Sequence, residues 1–296
     1  MKRSIFYYLM HPSILFPVLL SKLSDRHAIE YRWKQSMNYS LNLDNPRTFT
    51  EKLNWLKLHD HNPLYHQLVD KYEVKKWVAD RIGEEYVVEN YALYNSVDEI
   101  DITKLPSSFV LKCTHNSGGV VVCLNKDKLD LSKAKYTLLN GLHIRSYYKI
   151  NREWVYKGVK PRIIAEELLE DNTYDDLVTY KFLCFHGEPC IMYITVKTDD
   201  IWENFYDMDF QPINITHGFR KYEGKIEKPI TFEKMKEIAR VLSQGMPHVR
   251  VDLYQIKGKV KFSELTFYDW GGFCPIDPIE WDYKLGSWLK LNVKLN

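Results

Sequence analysis

The stretch Arg250–Thr266 reads RVDLYQIKGKVKFSELT. Apolar and polar residues alternate on both sides of Lys257-Gly258, which predicts a β-hairpin. With a loop at Ile256-Lys257-Gly258 and a left-handed glycine, Gln255 pairs with Lys259. Asp252 then lies diagonal to Glu264, and side-chain parity puts Arg250, Asp252, Glu264 and Thr266 on one face. Two carboxylates this close repel unless a cation sits between them. Hard oxygen ligands with one hydroxyl suit Mg2+ holding a phosphate chain. The alternative for this segment is a solvated sheet face with scattered charges.

A chain of 296 residues is long enough for one large domain or two lobes. Lys and Arg number 41 against 39 Asp and Glu, a net charge of +2, so there is no basic field of the kind that draws nucleic acid. The cysteines, Cys113, Cys123, Cys184, Cys190 and Cys274, are odd in number and contain no C-x-x-C pair. They suggest neither a disulfide framework nor a zinc site and fit a reduced, cytoplasmic protein. The opening MKRSIFYYLMHPSILFPVLLSKL is apolar, but His11-Pro12 and Pro17 break it as a spanning helix, and no small-residue cleavage site follows. It reads as part of a helical arm over residues 1–44. That arm either lies on the inner face of a membrane, with Lys22 and Arg26 behind it, or packs on the protein body or a second subunit.

Working outward from the hairpin, Thr48-Phe49-Thr50-Glu51 forms a capping box before an apolar stripe at Phe49, Leu53 and Leu56. A second helix opens near Asp70-Lys71, carries Val74, Trp77, Val78 and Ile82 at helical spacing, and ends at Gly83. The period drops to two from Phe109 to about Leu124, interrupted by HNSGG. Arg162–Leu169, Leu177–Phe185 and Pro189–Val196 read as further strands, the last two joined by His186-Gly187-Glu188. Phe232, Met235, Ile238, Ala239 and Leu242 mark an amphipathic helix with Thr231 as N-cap. The mixture, rich in antiparallel hairpins, predicts an α+β fold.

Three further segments carry candidate chemistry. In FVLKCTHNSGGVVV, Lys112 projects opposite Phe109, Leu111 and Cys113, and the glycine-containing loop lets backbone N–H groups approach an anion beside that lysine. It is not a Walker A loop, since no Gly-Lys-Ser/Thr precedes a helix. His115 in this loop is either a general base or a surface hydrogen-bonding residue. Glu166-Glu167 ends an apolar strand, where acids either meet a ligand or point into water from a sheet edge. Asp207-Met208-Asp209 is a D-x-D, which can hold a metal–nucleotide-sugar diphosphate and supports the rival expectation of a glycosyltransferase. Beyond Thr266, YDWGGFCPIDPIEWDY either lines an acceptor pocket, with Trp270 or Trp281 stacking on a sugar, or packs as an ordinary loop.

Taken in order, these parts resemble the ATP-grasp superfamily. NPRTFTEKLNWLKLHDHNPLYHQLVDKYEVKKWV, LPSSFVLKCTHNSGG, PRIIAEELL, YKFLCFHGEP and RVDLY with KFSELTFY look like the TupA-like ATP-grasp proteins of bacterial surface-polysaccharide gene clusters. The likeness runs from about Asn45 to Leu291. It implies two α+β lobes gripping ATP between antiparallel sheets, with a helical pre-domain over 45–98, a small lobe over 99–165 and a core lobe over 166–296. By resemblance, Lys71 and Lys112 bind phosphate, His115, Asn116, Ser117, Gly118 and Gly119 close over the triphosphate, and Lys181 adds a phosphate contact. Glu166, Glu167, Leu168 and Leu169 form the adenine and ribose hinge. Asp252 and Glu264 hold magnesium, with Thr266 where members of the superfamily usually carry asparagine. Arg250 and Lys112 are the catalytic candidates: Lys112 holds the β/γ oxygens, and Arg250 either grips the carboxylate or the developing oxyanion or forms a salt bridge to Glu264 that orients that ligand. The implied task is an ATP- and Mg2+-dependent amide bond between an amino acid and a uronic-acid-type carboxylate of a capsule, teichuronopeptide or O-antigen glycan. A kinase that stops at phosphate transfer is a further alternative.

Overall fold

The computed structural model describes residues 23–143, 147–171, 177–197 and 200–291. The described part opens with four helices, α1 (Asp25–Ser36), α2 (Phe49–His59), α3 (Leu64–Val69) and α4 (Glu73–Ile82). The expected capping box at Thr48 is present: its hydroxyl accepts from the Glu51 N–H, and Glu51 accepts from the Thr48 N–H. Gly83 ends α4 with φ at +112°. The apolar arm expected over the first residues falls, as far as residue 22, outside the described residues. Its described remainder packs Ile29 and Trp33 of α1, with Met37 just past its end, against Leu43 and Phe273.

Two antiparallel sheets follow. The first runs in the order β1-β4-β2-β3, with β1 Asn90–Tyr94, β2 Phe109–Cys113, β3 Val120–Cys123 and β4 Ile163–Glu166. Phe109, Leu111 and Cys113 are fully buried on one face, among the residues of a small core that includes Leu138 of α5 (Leu131–His143). Lys112 lies on the other face, as alternation requires. The expected strand Arg162–Leu169 is shorter, because after Glu166 the chain leaves the ladder and the Glu167 N–H donates to the Glu89 carbonyl at 3.0 Å.

The second sheet runs β10-β9-β5-β6-β7-β8, with β5 Thr179–Phe185, β6 Glu188–Lys197, β7 Ile201–Tyr206, β8 Pro212–Ile213, β9 His248–Ile256 and β10 Lys259–Thr266. Cross-strand registers place Lys181 opposite both Tyr193 and Asp252, and Thr195 opposite Glu203. One face therefore carries Lys181, Tyr193, Glu203, Arg250, Asp252 and Glu264. The other carries Phe182, Ile194, Val251 and Leu253, which share a core with Phe232, Met235, Ile238, Ala239 and Leu242 of α7 (Phe232–Ser243). The helix thus buries the apolar face and leaves the polar face to the site. Thr231 stands at the start of α7 but does not cap it as expected; its hydroxyl donates instead to Gln255 Oε1 at 2.7 Å.

The decisive hairpin forms with a different turn. Lys257 and Gly258 alone make the loop, both with positive φ (49° and 74°), and Lys259 pairs with Ile256 rather than with Gln255. That register would set Glu264 on the face opposite Asp252, since a slip of one residue reverses every side chain beyond it. A bulge between Phe262 and Glu264 absorbs Ser263 and restores parity, so Glu264 pairs directly with Asp252 and Thr266 with Arg250. The four residues share a face, with Asp252 opposite Glu264 rather than diagonal to it.

Helix α8 (Ile279–Trp288) ties the C-terminal end to α2. Asp282 accepts from the Thr50 N–H at 3.0 Å, the Thr50 hydroxyl at 2.6 Å and the Tyr39 hydroxyl at 2.8 Å. Gly286 lies so close to the α2 N-terminus that a Cβ there would stand 2.2 Å from the Arg47 carbonyl oxygen. A Gly286→Ala change is expected to lower unfolding free energy by about 1–3 kcal/mol, the range for overpacking a filled contact. Urea denaturation checks this, and an unchanged midpoint would contradict the close packing.

Candidate active site

The polar face of the second sheet centres on Arg250, which is 6% exposed. Its Nε and Nη2 each donate to Asp252 at 2.7 Å, Nη1 donates to the Tyr193 hydroxyl at 2.9 Å and to Asp269, and Nη2 donates to Thr266 Oγ1 at 3.0 Å. The two acids fare differently. Burial pushes the Asp252 carboxyl up to about 6 against the pull of Arg250. Burial also opposes charge on Asp269, but Arg250, His217 and Lys181 overcome it and hold that group at about 2. Asp252 therefore remains the carboxyl with more to gain from a further cation. Glu264, directly opposite, keeps 37% of its side chain exposed, with Lys71 Nζ at 3.6 Å and Arg250 Nη2 at 3.5 Å. Burial raises its pKa less than Lys71, Arg250, Lys181 and Lys112 lower it, so it stays ionised at neutral pH.

Among the described residues no group of three His, Cys, Asp or Glu side chains is placed to hold a metal. Asp252 and Glu264 still fit magnesium as a partial set, two facing carboxylates beside a cleft, because Mg2+ typically takes one or two protein carboxylates and completes its shell with phosphate oxygens and water. Thr266, whose oxygen accepts from Arg250, is tied to the guanidinium instead.

The lysines divide into two groups. Lys71 follows Asp70, whose carboxylate accepts from the Tyr72 and Glu73 N–H groups, the Thr114 hydroxyl and Arg162. So anchored, Lys71 donates to the Asn116 carbonyl at 2.8 Å and faces Glu264. Lys181 has its Nζ 5.2 Å from the centre of the Tyr193 ring. Lys112 instead pairs with Glu166, whose second oxygen accepts from Lys75 at 2.7 Å. Burial pulls the Lys75 ammonium down. It works against Lys112 as well, but Glu166, with Tyr254 and Glu264, raises Lys112 above its usual value. Both oxygens of Glu166 are thus engaged by lysines in this form of the protein. Glu167 and Leu168 are half-buried beside it, and Leu169 is buried.

The segment His115–Gly119 is anchored at its start. His115 and Asn116 are each 2% exposed, so His115 is not a surface residue. Asn116 donates to the Gly141 carbonyl at 2.8 Å and accepts from the Gly118 N–H at 2.9 Å. Gly119, with φ at +63°, lies against Cys113 and Gly141, where a Cβ would meet sulfur at 2.6 Å. Ser117, hydrogen-bonded to Tyr147, is the exposed tip.

Lys71, Asn116, Ser117, Lys181, Arg250 and Glu264 line one cleft of about 400 Å3. Thr266 also faces it, whereas Lys112 and Asp252 do not line it. Several lining residues were not singled out from sequence. Glu153, raised by burial to about 7, shares the wall of Gly271 with Lys57, which burial lowers to about 7. Lys57 is nonetheless well bonded, to Asn54 Oδ1 at 2.8 Å and to the carbonyls of Asn151 at 3.0 Å and Gly271 at 2.5 Å. Trp270, in the left-handed region at φ 49°, faces the cleft; Trp281 instead packs beside Lys284 and does not line it. Asp207 of the D-x-D accepts from the N–H groups of Asp209 and Gln211, which makes it a turn residue outside this cleft.

The family model of the TupA-like ATP-grasp proteins matches residues 51–290. No curated protein matches the chain. Among solved structures it is similar to a D-alanine-D-alanine ligase from Helicobacter pylori at 15% identity and a TM-score of 0.40, covering 75% of this chain and 61% of that one. It is also similar to an N5-carboxyaminoimidazole synthase from Aspergillus clavatus in complex with ADP, at 10% identity and a TM-score of 0.39, covering 83% of this chain and 51% of that one. This chain therefore spans about three fifths and one half of those two proteins. With four fifths of its length inside the family model, the chain belongs to the TupA-like ATP-grasp family.

Proposed function

We propose that this protein is a carboxylate–amine ligase that uses ATP and Mg2+ to join an amino acid to a uronic-acid-type sugar of a bacterial capsule, teichuronopeptide or O-antigen glycan. The observation that carries this reading is one cleft in which Lys71, Lys181 and Arg250 converge beside the Glu264–Asp252 pair. Lysines at that position suit the β- and γ-phosphate oxygens. Magnesium, when bound by Glu264 and Asp252, neutralises charge as the phosphoryl group moves.

Transfer of the γ-phosphoryl group to the sugar carboxylate gives an acyl phosphate, and attack by the amine releases phosphate and closes the amide. Arg250 steadies charge on the carboxyl oxygen from its fixed place between Asp252 and Asp269. The nucleotide hinge would be Glu167 through Leu169. Glu166, bridging Lys75 and Lys112, sets the position of Lys112 and releases it as the phosphates arrive. The membrane-facing role of the N-terminal arm and the cytoplasmic setting belong to the same proposal. Among the described residues no helix is long and apolar enough to cross a membrane.

The deciding experiment crosses uronic-acid glycosides with amino acids in a magnesium- and ATP-dependent phosphate-release screen read by mass spectrometry. Release that needs both partners, with a product heavier by the amino acid less water, supports the ligase; a phosphorylated glycan without amine uptake would show a kinase instead. Replacing Lys71 or Glu264 by alanine is expected to lower this release on the order of 100-fold or more while leaving the unfolding midpoint near that of the parent. Arg250→Ala behaves differently. It strands two buried carboxyls, and equilibrium unfolding should show a loss of about 3–5 kcal/mol. A loss below about 1 kcal/mol, the scale of an exposed pair, would contradict the buried network.

A further inference from the structure

The inner end of the cleft holds an acid that the reading above does not use. Glu203 of β7 is 2% exposed, lines the cleft, and has an Oε2 with no hydrogen-bond partner among the described residues. A buried carboxyl oxygen without a donor is costly, so it marks a place where a ligand donor belongs. No lysine or arginine lies within ion-pairing distance of it among the described residues. Lys181, on the same sheet face, is the largest influence of opposite sign and sits over the Tyr193 ring.

The surroundings narrow the ligand. The Glu203 N–H donates to the Arg220 carbonyl at 2.9 Å, which sets Phe219 beside the acid. Phe219 and Trp270 lie 4.9 Å apart between ring centres, tilted by 56°, and both line the cleft. Trp270 reaches this place because Gly218 has no Cβ: one there would lie 2.4 Å from the indole. A buried carboxylate beside two aromatic faces is a receptor for an ammonium ion, held by charge on one side and by ring quadrupoles on the other. Phosphate or carboxylate would be repelled there.

We propose that Glu203, with Phe219 and Trp270, is the amine-substrate site, taking the incoming amine as its ammonium ion and removing one proton to make it nucleophilic. This deepens the ligase reading and rests on it. The balance is simple: the ammonium proton passes to Glu203, and the neutral amine attacks the acyl carbon. The new C–N bond forms as the C–O bond to phosphate breaks, and the second nitrogen proton leaves with phosphate. The groups facing Glu203 agree with this role. Burial raises its pKa to about 8, Lys181 and Arg250 lower it, and Asp269 raises it, while Tyr193 and Cys274 are the other titratable groups that sense its charge. In the empty site the carboxyl keeps its proton up to about pH 8; an ammonium ion beside it favours the ionised form, and that form then takes the amine's proton.

The test separates this role from carboxylate activation. Hydroxylamine, uncharged at neutral pH, traps an acyl phosphate without needing an ammonium site. Methyl glucuronoside and methyl galacturonoside serve as carboxylates, and the twenty standard L-amino acids as amines. Glu203→Gln should form hydroxamate at the parent rate, while amide formation falls on the order of 100-fold. Equal amide rates in Glu203→Gln and parent overturn the proposal, as does a parallel loss of both products. No hydroxamate from the parent enzyme with either glycoside would overturn the ligase reading itself. A thermal readout is independent of turnover. Because the folded-state pKa is raised, Glu203 keeps a proton that the unfolded chain has already lost between about pH 4.5 and 8, and its stabilising share declines as pH rises through that window. Glu203→Gln should therefore raise Tm over the parent at pH 9 and give no gain at pH 4; equal shifts at both values would count against a proton-holding carboxyl.

Discussion

A single buried guanidinium organises this protein. Arg250 distributes its donors between Asp252 on its own strand, Asp269 from the loop beyond β10, the Tyr193 hydroxyl of β6 and Thr266. Three charges removed from water are seldom returned in full by their mutual attraction. They are tolerated here because nearly every donor finds an acceptor. The consequence is positional: β9, β6 and the following loop are held to one point, and Glu264 is left as the more exposed acid of its pair with Asp252. Lys57, donating from α2 to the Gly271 carbonyl, holds the far side of the same loop. The helical N-terminal region and the sheet are thus joined through the walls of the cleft itself.

The central sheet divides its labour by face. Burial against α7 supplies the hydrophobic contribution, with Phe182, Val251 and Leu253 packed beneath its apolar stripe. The opposite face carries charges of both signs in neighbouring rows, an arrangement that only a ligand-binding surface makes reasonable. Lys71, Lys181 and Arg250 line the cleft, and so do Glu203, Phe219 and Trp270.

Much of this was readable from residue order. Alternation in β2 and in the hairpin determines which side chains share a face, and a capping box is local chemistry; Lys112, Arg250, Asp252, Glu264 and Thr266 fell where parity put them. The bulge at Ser263 was not readable, because a serine in a strand carries no signal for an extra residue and a two-residue turn competes with a three-residue one at Lys257-Gly258. Nor was the fate of His115, which a polar loop suggests is exposed and which the Asn116–Gly141 contact draws inward. Asp269 and Glu203 escaped for a different reason. One follows the strand pattern after it has ended, and the other sits in a strand whose surrounding acids and aromatics look alike; their importance arises from pairing across the fold. Lys75, one turn beyond Lys71, reads as the solvent face of an amphipathic helix until β4 brings Glu166 to it.

The bulge also limits how this hairpin can vary over time. Because the extra serine compensates for the short loop, the two features are matched: lengthening the loop by one residue, or deleting the serine, would turn Glu264 and Thr266 toward the packed helix and bring apolar neighbours into the cleft. Length changes here are tolerable only as pairs, one at the tip and one in the strand. The tip and the cleft-facing row, several residues apart, are therefore bound to change together or not at all.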